Sequence, residues 1–342
     1  MKTYPARIAS LEFMRVIAMA AVIAIHTRLF IDAPIINGHA WLADIVNQLS
    51  RFAVPFFFLL AGFLIQPKLM GSPLAVMRRY NAPLLKVWLV WSAICLILPA
   101  NLKNVMELGY LGERQAYWSF LLKTPLNSFL EGGLVHLWFL PALIIAVVMT
   151  GLFVHFKLLK LLLPAAVLLY IYGVLAGSYA SVTEIGSPFL TRNGPFFSLL
   201  MVAVGFEIRR FEFRLSAQSA LLMLSAGLLG HFAEAYWLFT KEVAFSSHDF
   251  LLFTPLWASG LFLLLLAKPL LGDHPLTYWL SKSILPIYVC HLSIAIVFYN
   301  IAGMSAVSGL TRDGVLFFGT VICSLAFVKL VEKTPLRKFL FR

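Results

Sequence analysis

The sequence predicts an all-α, polytopic membrane bundle of about ten transmembrane helices with both termini cytoplasmic. Three observations carry that expectation. First, 61% of the 342 residues are hydrophobic and 12% are charged, against roughly 45–50% and about 25% in a soluble domain. Mean hydropathy is +0.89. So little charge does not cover a soluble globule of 38.3 kDa, which excludes an ordinary cytosolic enzyme, a secreted disulfide scaffold and a disordered chain. Second, the apolar runs are long and unbroken, whereas the strands of a transmembrane barrel alternate apolar with polar residues. Third, the basic residues segregate. The net charge is +12, from 27 Lys+Arg against 15 Asp+Glu. In a membrane protein this is the bias of cytoplasmic loops, so no nucleic-acid partner is expected.

A helix crossing roughly 30 Å of hydrocarbon needs about 20 residues. Ten runs qualify, near residues 10–29, 52–65, 83–99, 137–154, 158–176, 195–206, 215–232, 250–267, 284–302 and 315–331. The first is too long for a cleaved signal peptide, contains Arg15 and lacks a small-x-small exit before Arg28, so it is expected to be retained. The second and sixth are short and are expected to extend into the residues before them. His155, Phe156 and Lys157 alone make the turn between the fourth and fifth. With the N-terminus inside, 17 of the 27 Lys and Arg fall on the cytoplasmic side and 8 outside. An even number of spans satisfies this bias. The longest loop, 100–136, is external, mixed in charge and ends in a Gly132-Gly133 turn. No internal repeat is evident and no segment outside the spans is long enough to fold alone, so 1–342 reads as one integral-membrane domain. Cys95, Cys290 and Cys323 lie in apolar runs and read as small core residues.

Ionisable groups inside hydrocarbon cost several kcal/mol and are functional candidates by default. Arg15 and His26 are 11 residues apart in the first span. On a helix that is about 16 Å of rise and only about 20° off alignment. Both therefore face one line, with Met19 and Val22 between them, and Glu12 stands one turn before Arg15. Snorkelling of Arg15 and an interfacial place for His26 are the bland alternatives. Arg78, Arg79 and Lys86 form a basic cluster at the start of the third span. It reads either as positive-inside anchoring or as a site for phosphates. Glu131, His136 and Trp138 gather at the outer mouth of the fourth span, a combination that suits a sugar ring. In the ninth, Pro286 precedes Tyr288 and His291, and is expected to free a backbone carbonyl. No paired-His or acidic cluster stands at metal-ligand spacing, so no metal is implied.

These segments together resemble the family-3 transmembrane acyltransferases, which include bacterial surface-glycan O-acetyltransferases. The resemblance rests on Leu11-Glu12-Phe13-Met14-Arg15-Val16-Ile17-Ala18 with His26 following, on the aromatic, Gly62-containing second span, and on His136-Leu137-Trp138-Phe139-Leu140. Pro286-Ile287-Tyr288 with His291, and the closing Glu332-Lys333-Thr334-Pro335, complete it. Two features depart from the pattern. Glu12 stands where Asp is usual, and Arg78 and Arg79 are adjacent where the family carries Arg-x-x-Arg.

The resemblance implies a bacterial inner-membrane O-acyltransferase moving an acyl group, expected to be acetyl, from acyl-CoA to a hydroxyl of a surface polysaccharide or its lipid-linked precursor. It implies no cofactor beyond that donor. His26, with Arg15 and Glu12, would be catalytic, by direct base catalysis or through an acyl-histidine. Arg78, Arg79 and Lys86 would hold acyl-CoA. Glu131, His136 and Trp138 would bind the acceptor, with Tyr288 and His291 as further polar intramembrane groups. Membrane lipids are partners, and a homo-oligomer is left open. The alternative is a proton-coupled transporter or flippase of a glycan lipid or organic anion, since intramembrane Arg and His also suit that task.

Overall fold

A computed structural model describes residues 7–341. Each of the ten expected spans contains a helix, and no strand occurs among the described residues. The helices are α1 Ala9–His26, α2 Trp41–Ser50, α3 Ala53–Gly71, α4 Pro73–Ile97, α5 Leu102–Leu121, α6 Pro125–Leu130, α7 Phe139–His155 and α8 Leu159–Leu175. After them come α9 Ala180–Thr183, α10 Pro195–Arg210, α11 Ala217–Phe239, α12 Thr254–Ala267, α13 Pro275–Ser281, α14 Ile284–Met304, α15 Gly309–Glu332 and α16 Arg337–Leu340. Among the described residues, 7 runs are long and apolar enough to cross a membrane, with α2 and α3 forming one of them; α8 and α12 are shorter apolar helices. Proline opens many of these helices: Pro73, Pro125, Pro195 and Pro275 each stand in a first turn, where a missing N–H costs nothing.

Several boundaries differ from expectation, each for a local reason. The second span extends back as expected, to Trp41 through α2, and also forward to Gly71; the sixth lengthens only at its far end, to Arg210, because Pro195 fixes the start of α10. The third starts ten residues early and runs through Pro83, so Arg78 and Arg79 sit within α4. The loop 100–136 is mostly helical, as α5 and α6, with a kink at Gly109. Pro286 falls in the first turn of α14, where it frees no interior carbonyl. Cys95 and Cys290 are buried, but Cys323 is exposed on α15 rather than in the core.

The centre of the bundle is α1, which packs against α2, α3, α12, α13, α14 and α15. Its start is tied down by the Ser10 hydroxyl, which donates to the Leu265 carbonyl at 2.6 Å. The aromatic run on α3 has a packing purpose. Phe58 stacks on Phe139 with centroids 4.7 Å apart and meets Phe197 edge-on, and Phe197 stacks on Phe250.

The tightest crossing is α3 against α10, and it depends on glycine at both contact points. A Cβ on Gly62 would lie 2.0 Å from the Val202 carbonyl oxygen, and one on Gly205 would lie 2.0 Å from that of Leu59. Small residues let helix backbones approach this closely in lipid. Gly205→Leu is therefore expected to destabilise the bundle by more than the roughly 1–3 kcal/mol of ordinary overpacking, since backbone, not a side-chain tip, is in the way. Thermal melting in detergent checks this; a melting temperature unchanged by Gly205→Leu contradicts the crossing.

The charges sort by end. Arg7, Arg209, Lys282 and Lys329 gather where α1 begins, with Arg7 over Tyr278, Lys282 over the same ring and Lys329 over Trp279. At the opposite end Arg51, Glu131, Arg192 and Asp249 form one ion network, and Asp32 pairs with Arg312.

Candidate active site

Arg15 and His26 line one cavity of about 280 Å³, with Val22 between them on the same helix. The helical stripe expected from their spacing therefore faces protein, not lipid. The other walls come from α3, α4, α7 and α14, through residues such as Phe57, Tyr80, Trp138 and Tyr288. A second cavity, of about 180 Å³, opens among Arg7, Glu12 and Arg209. The two share Arg15, Leu60 and Leu64 as walls. Arg15 thus stands at the neck between the basic end of the bundle and the larger chamber.

Glu12 does not pair with Arg15. Its carboxylate meets Arg7 at 3.4 Å and accepts from the Ser281 hydroxyl at 3.5 Å. Arg15 makes no ion pair or hydrogen bond among the described residues, although it is half-buried. Its electrostatic partners are Glu12 and Tyr80, and with no hydrogen-bond acceptor among the described residues its donors are offered to whatever enters the cavity.

At the far end of the chamber three imidazoles converge. The His26 and His291 ring centroids are 5.2 Å apart, His136 and His291 are 5.1 Å apart, and His26 and His136 are 6.4 Å apart. His136 reaches this point because the turn before α7 dips into the bundle. That turn is the 3₁₀ segment Val135–Trp138, and His136 and Leu137 within it are buried. Gly132 and Gly133, at φ of 61° and 76°, make the entry; a Cβ on Gly132 would meet the Ser92 hydroxyl at 2.4 Å. Two bonds dock the turn on α14. Tyr288 donates its hydroxyl to the His136 carbonyl, and His136 Nε2 lies 3.1 Å from the Val289 carbonyl.

The outer mouth is roofed by charge. Arg51 and Arg192 both bind Asp249, at 2.6 and 2.8 Å, and Arg192 also binds Glu131 at 2.9 Å. The Arg192 guanidinium lies 5.9 Å from the Trp138 ring, linking this roof to the cavity wall. Behind it, His231 bridges Thr254 and Gln48, and Gln48 donates to the Phe245 carbonyl, which fixes the 240–254 loop. Burial alone would raise the Asp249 carboxyl, but the Arg192 and Arg51 guanidiniums outweigh it and hold the group below the usual carboxylate range. Burial opposes the charge on Arg192, but the Asp249 and Glu131 carboxylates together outweigh it and hold the guanidinium further into its charged form.

A depressed carboxylate stabilises the fold fully above its unfolded value and loses that contribution as pH falls through its lower folded value. Asp249→Asn is therefore expected to cost about 3 kcal/mol at neutral pH, the scale of breaking a buried pair. The gap to the native chain should close in acid. The gap is expected to hold from pH 7 down to the ordinary carboxylate value of about 3.9 and to narrow only below it; melting curves carried below pH 3 test this, and a gap that stays constant there contradicts it.

Of the residues singled out from sequence, the cavity brings together Arg15, His26, His136, Trp138 and Tyr288, with His291 against His26. Glu12 borders only the second cavity, and Glu131 belongs to the roof. Arg78, Arg79 and Lys86 are exposed and line neither cavity; Lys86 donates to the Lys338 carbonyl at 2.7 Å. Sequence reasoning missed Tyr80, Arg209 and the Arg51–Asp249–Arg192 trio. Only proximity in the fold joins that trio; a basic residue in an external loop carries no pairing signal of its own.

Across residues 8–329 the chain matches the family model described as an acyltransferase domain. It belongs to the family 3 acyltransferases. Among curated proteins it is similar to an amino-acid racemase of Enterococcus faecalis, 24% identical over 94% of this chain and 45% of that protein. It is also similar to a serine/alanine racemase of Enterococcus gallinarum, 27% identical over 93% of this chain and 45% of that protein. The chain thus spans less than half the length of these relatives, whose names describe proteins as a whole. No solved structure matches this family 3 chain.

Proposed function

We propose that this family 3 acyltransferase moves an acyl group, acetyl by the resemblance of its motifs, from acyl-CoA to a hydroxyl of a surface glycan or its lipid-linked precursor at the bacterial inner membrane. The observation that carries the reading is the pairing, on the walls of one chamber, of a guanidinium that makes no hydrogen bond among the described residues and an imidazole. Taking the basic end as cytoplasmic, acyl-CoA enters from that side. Its anionic part stays among the Arg7 and Arg209 end, and its thioester arm passes Arg15. Arg78 and Arg79, exposed on α4, are left as an outlying surface for the donor's phosphates.

The chemistry then needs a base. His26 takes the proton of the acceptor hydroxyl as the oxygen attacks the thioester carbonyl carbon. The carbon–sulfur bond breaks, and the leaving thiolate takes up a proton and departs as free CoA thiol. Arg15 donates to the donor at the neck, and His136 and Trp138 border the acceptor. A covalent acyl-His26 stage is the alternative route to the same products.

The test uses purified protein, acetyl-CoA and a glycolipid extract of bacterial membranes. Thiol release that requires the extract, with acetyl label recovered in the glycan, supports the reading. Uptake of the glycolipid into vesicles without thiol release supports the transporter instead.

A further inference from the structure

Two of the three clustered imidazoles have their tautomers fixed by backbone. His291 Nδ1 lies 2.6 Å from the Tyr288 carbonyl, and His136 Nε2 lies 3.1 Å from that of Val289. A carbonyl only accepts, so each of these nitrogens carries the ring's N–H. The neutral ring has one N–H, so His291 Nε2 and His136 Nδ1 hold lone pairs. Both are buried, and neither has a partner. Buried polar nitrogens left unpaired are rare and costly, and both sit beside His26.

We propose that His291 is the positioning partner of His26, its Nε2 lone pair accepting the second N–H of the His26 ring. This deepens the acyl-transfer reading and rests on it. The ring centroids are 5.2 Å apart with the planes tilted by 53°, and the bond is not made in the resting structure; rotation of the His26 side chain that turns a ring nitrogen toward His291 closes it. The bond does two things. It turns the lone pair of His26 toward the chamber, where the acceptor hydroxyl arrives. It also stabilises the imidazolium formed when His26 takes the hydroxyl proton, as the carboxylate does in a serine-protease triad. The proton balance is unchanged: the hydroxyl proton goes to His26, His291 keeps its own Nδ1–H, and the proton leaves His26 for the departing thiolate. His291 is placed for this because α14 starts deep in the bundle. Its residues Ile284 and Leu285 already line the chamber, and His291 follows about two turns later.

Two substitutions separate this role from mere packing. In His291→Asn the amide NH₂ can still reach the Tyr288 carbonyl, but nothing replaces Nε2. In His291→Gln the amide oxygen reaches the place of Nε2 as an acceptor. With acetyl-CoA and the glycolipid extract, His291→Asn is expected to lose about 100-fold in kcat with KM for acetyl-CoA unchanged. His291→Gln is expected to recover at least about tenfold of that loss. A purely structural His291 predicts the reverse order, and that order, or native kcat in His291→Asn, overturns the proposal. Nitrogen-15 spectra of histidine-labelled protein give a readout without turnover: an unprotonated Nε2 at His291 is expected, and a protonated one overturns the assignment. If native protein releases no thiol with any extract, the acyl-transfer reading falls and this role falls with it. Retained turnover in His291→Asn removes only His291.

Discussion

His26→Ala abolishes acyl transfer while the protein still folds: kcat is expected to fall about 1,000-fold, within the usual span for a lost acid–base group. The effect is large because, among the described residues, His26 is the imidazole that lines the chamber on the same helix as Arg15. His136 donates one ring nitrogen to Val289 and is held in a turn, so it does not take over the position. The His26 ring is only partly buried, and its backbone carbonyl, not its ring, accepts from Tyr299 at 3.2 Å. Melting temperature in detergent is accordingly expected to stay within a few degrees. The check is label transfer from acetyl-CoA beside a melting curve. Activity within threefold of native removes His26 from the chemistry.

Arg15→Met is expected to lower kcat/KM for acetyl-CoA by roughly 10- to 100-fold, the worth of one hydrogen bond to a charged group at about 1.5–3 kcal/mol. The same substitution is expected to raise thermal stability. A half-buried cation with no protein hydrogen bond or ion pair is a cost to the empty fold, which Glu12 and Tyr80 only partly offset, and an apolar side chain of similar length removes it. Opposite signs for activity and stability are the mark of a group held for its ligand. Arg15→Lys keeps the charge but not the planar fork, and should restore only part of the activity. Binding of acetyl-CoA by calorimetry and melting curves together decide this. A loss of stability in Arg15→Met shows that the guanidinium serves the fold instead.

How far the fold was readable follows from what sets each feature. Span lengths are set by the membrane, so ten helices were legible from apolar runs alone. The shared face of Arg15 and His26 is set by helical period, so it was legible from two positions. The face that α4 presents to the bundle was not legible from the basic cluster alone. Its buried positions are Met77, Asn81, Val87, Trp88, Trp91 and Cys95, a stripe that leaves Arg78, Arg79 and Lys86 exposed. Glu12 was assigned to Arg15 by helical neighbourhood, whereas tertiary packing brought Arg7 and Ser281 to it. The meeting of His26, His136 and His291 depends on a turn dipping inward at Gly132-Gly133 and on where α14 begins. Neither is written in local periodicity. The roof of Arg51, Asp249 and Arg192 comes from three distant segments and is a product of the fold alone.

The central claim is that the donor's thioester reaches the chamber between Arg15 and His26, and Val22 lies on its wall between them. A single cysteine placed there by Val22→Cys, with exposed Cys323 changed to serine, reports occupancy through its rate of reaction with a small methanethiosulfonate. Saturating acetyl-CoA is expected to slow that reaction at least about tenfold, and Arg15→Met is expected to weaken the protection. A labelling rate that acetyl-CoA leaves unchanged, in protein that binds acetyl-CoA, places the donor elsewhere and contradicts the claim.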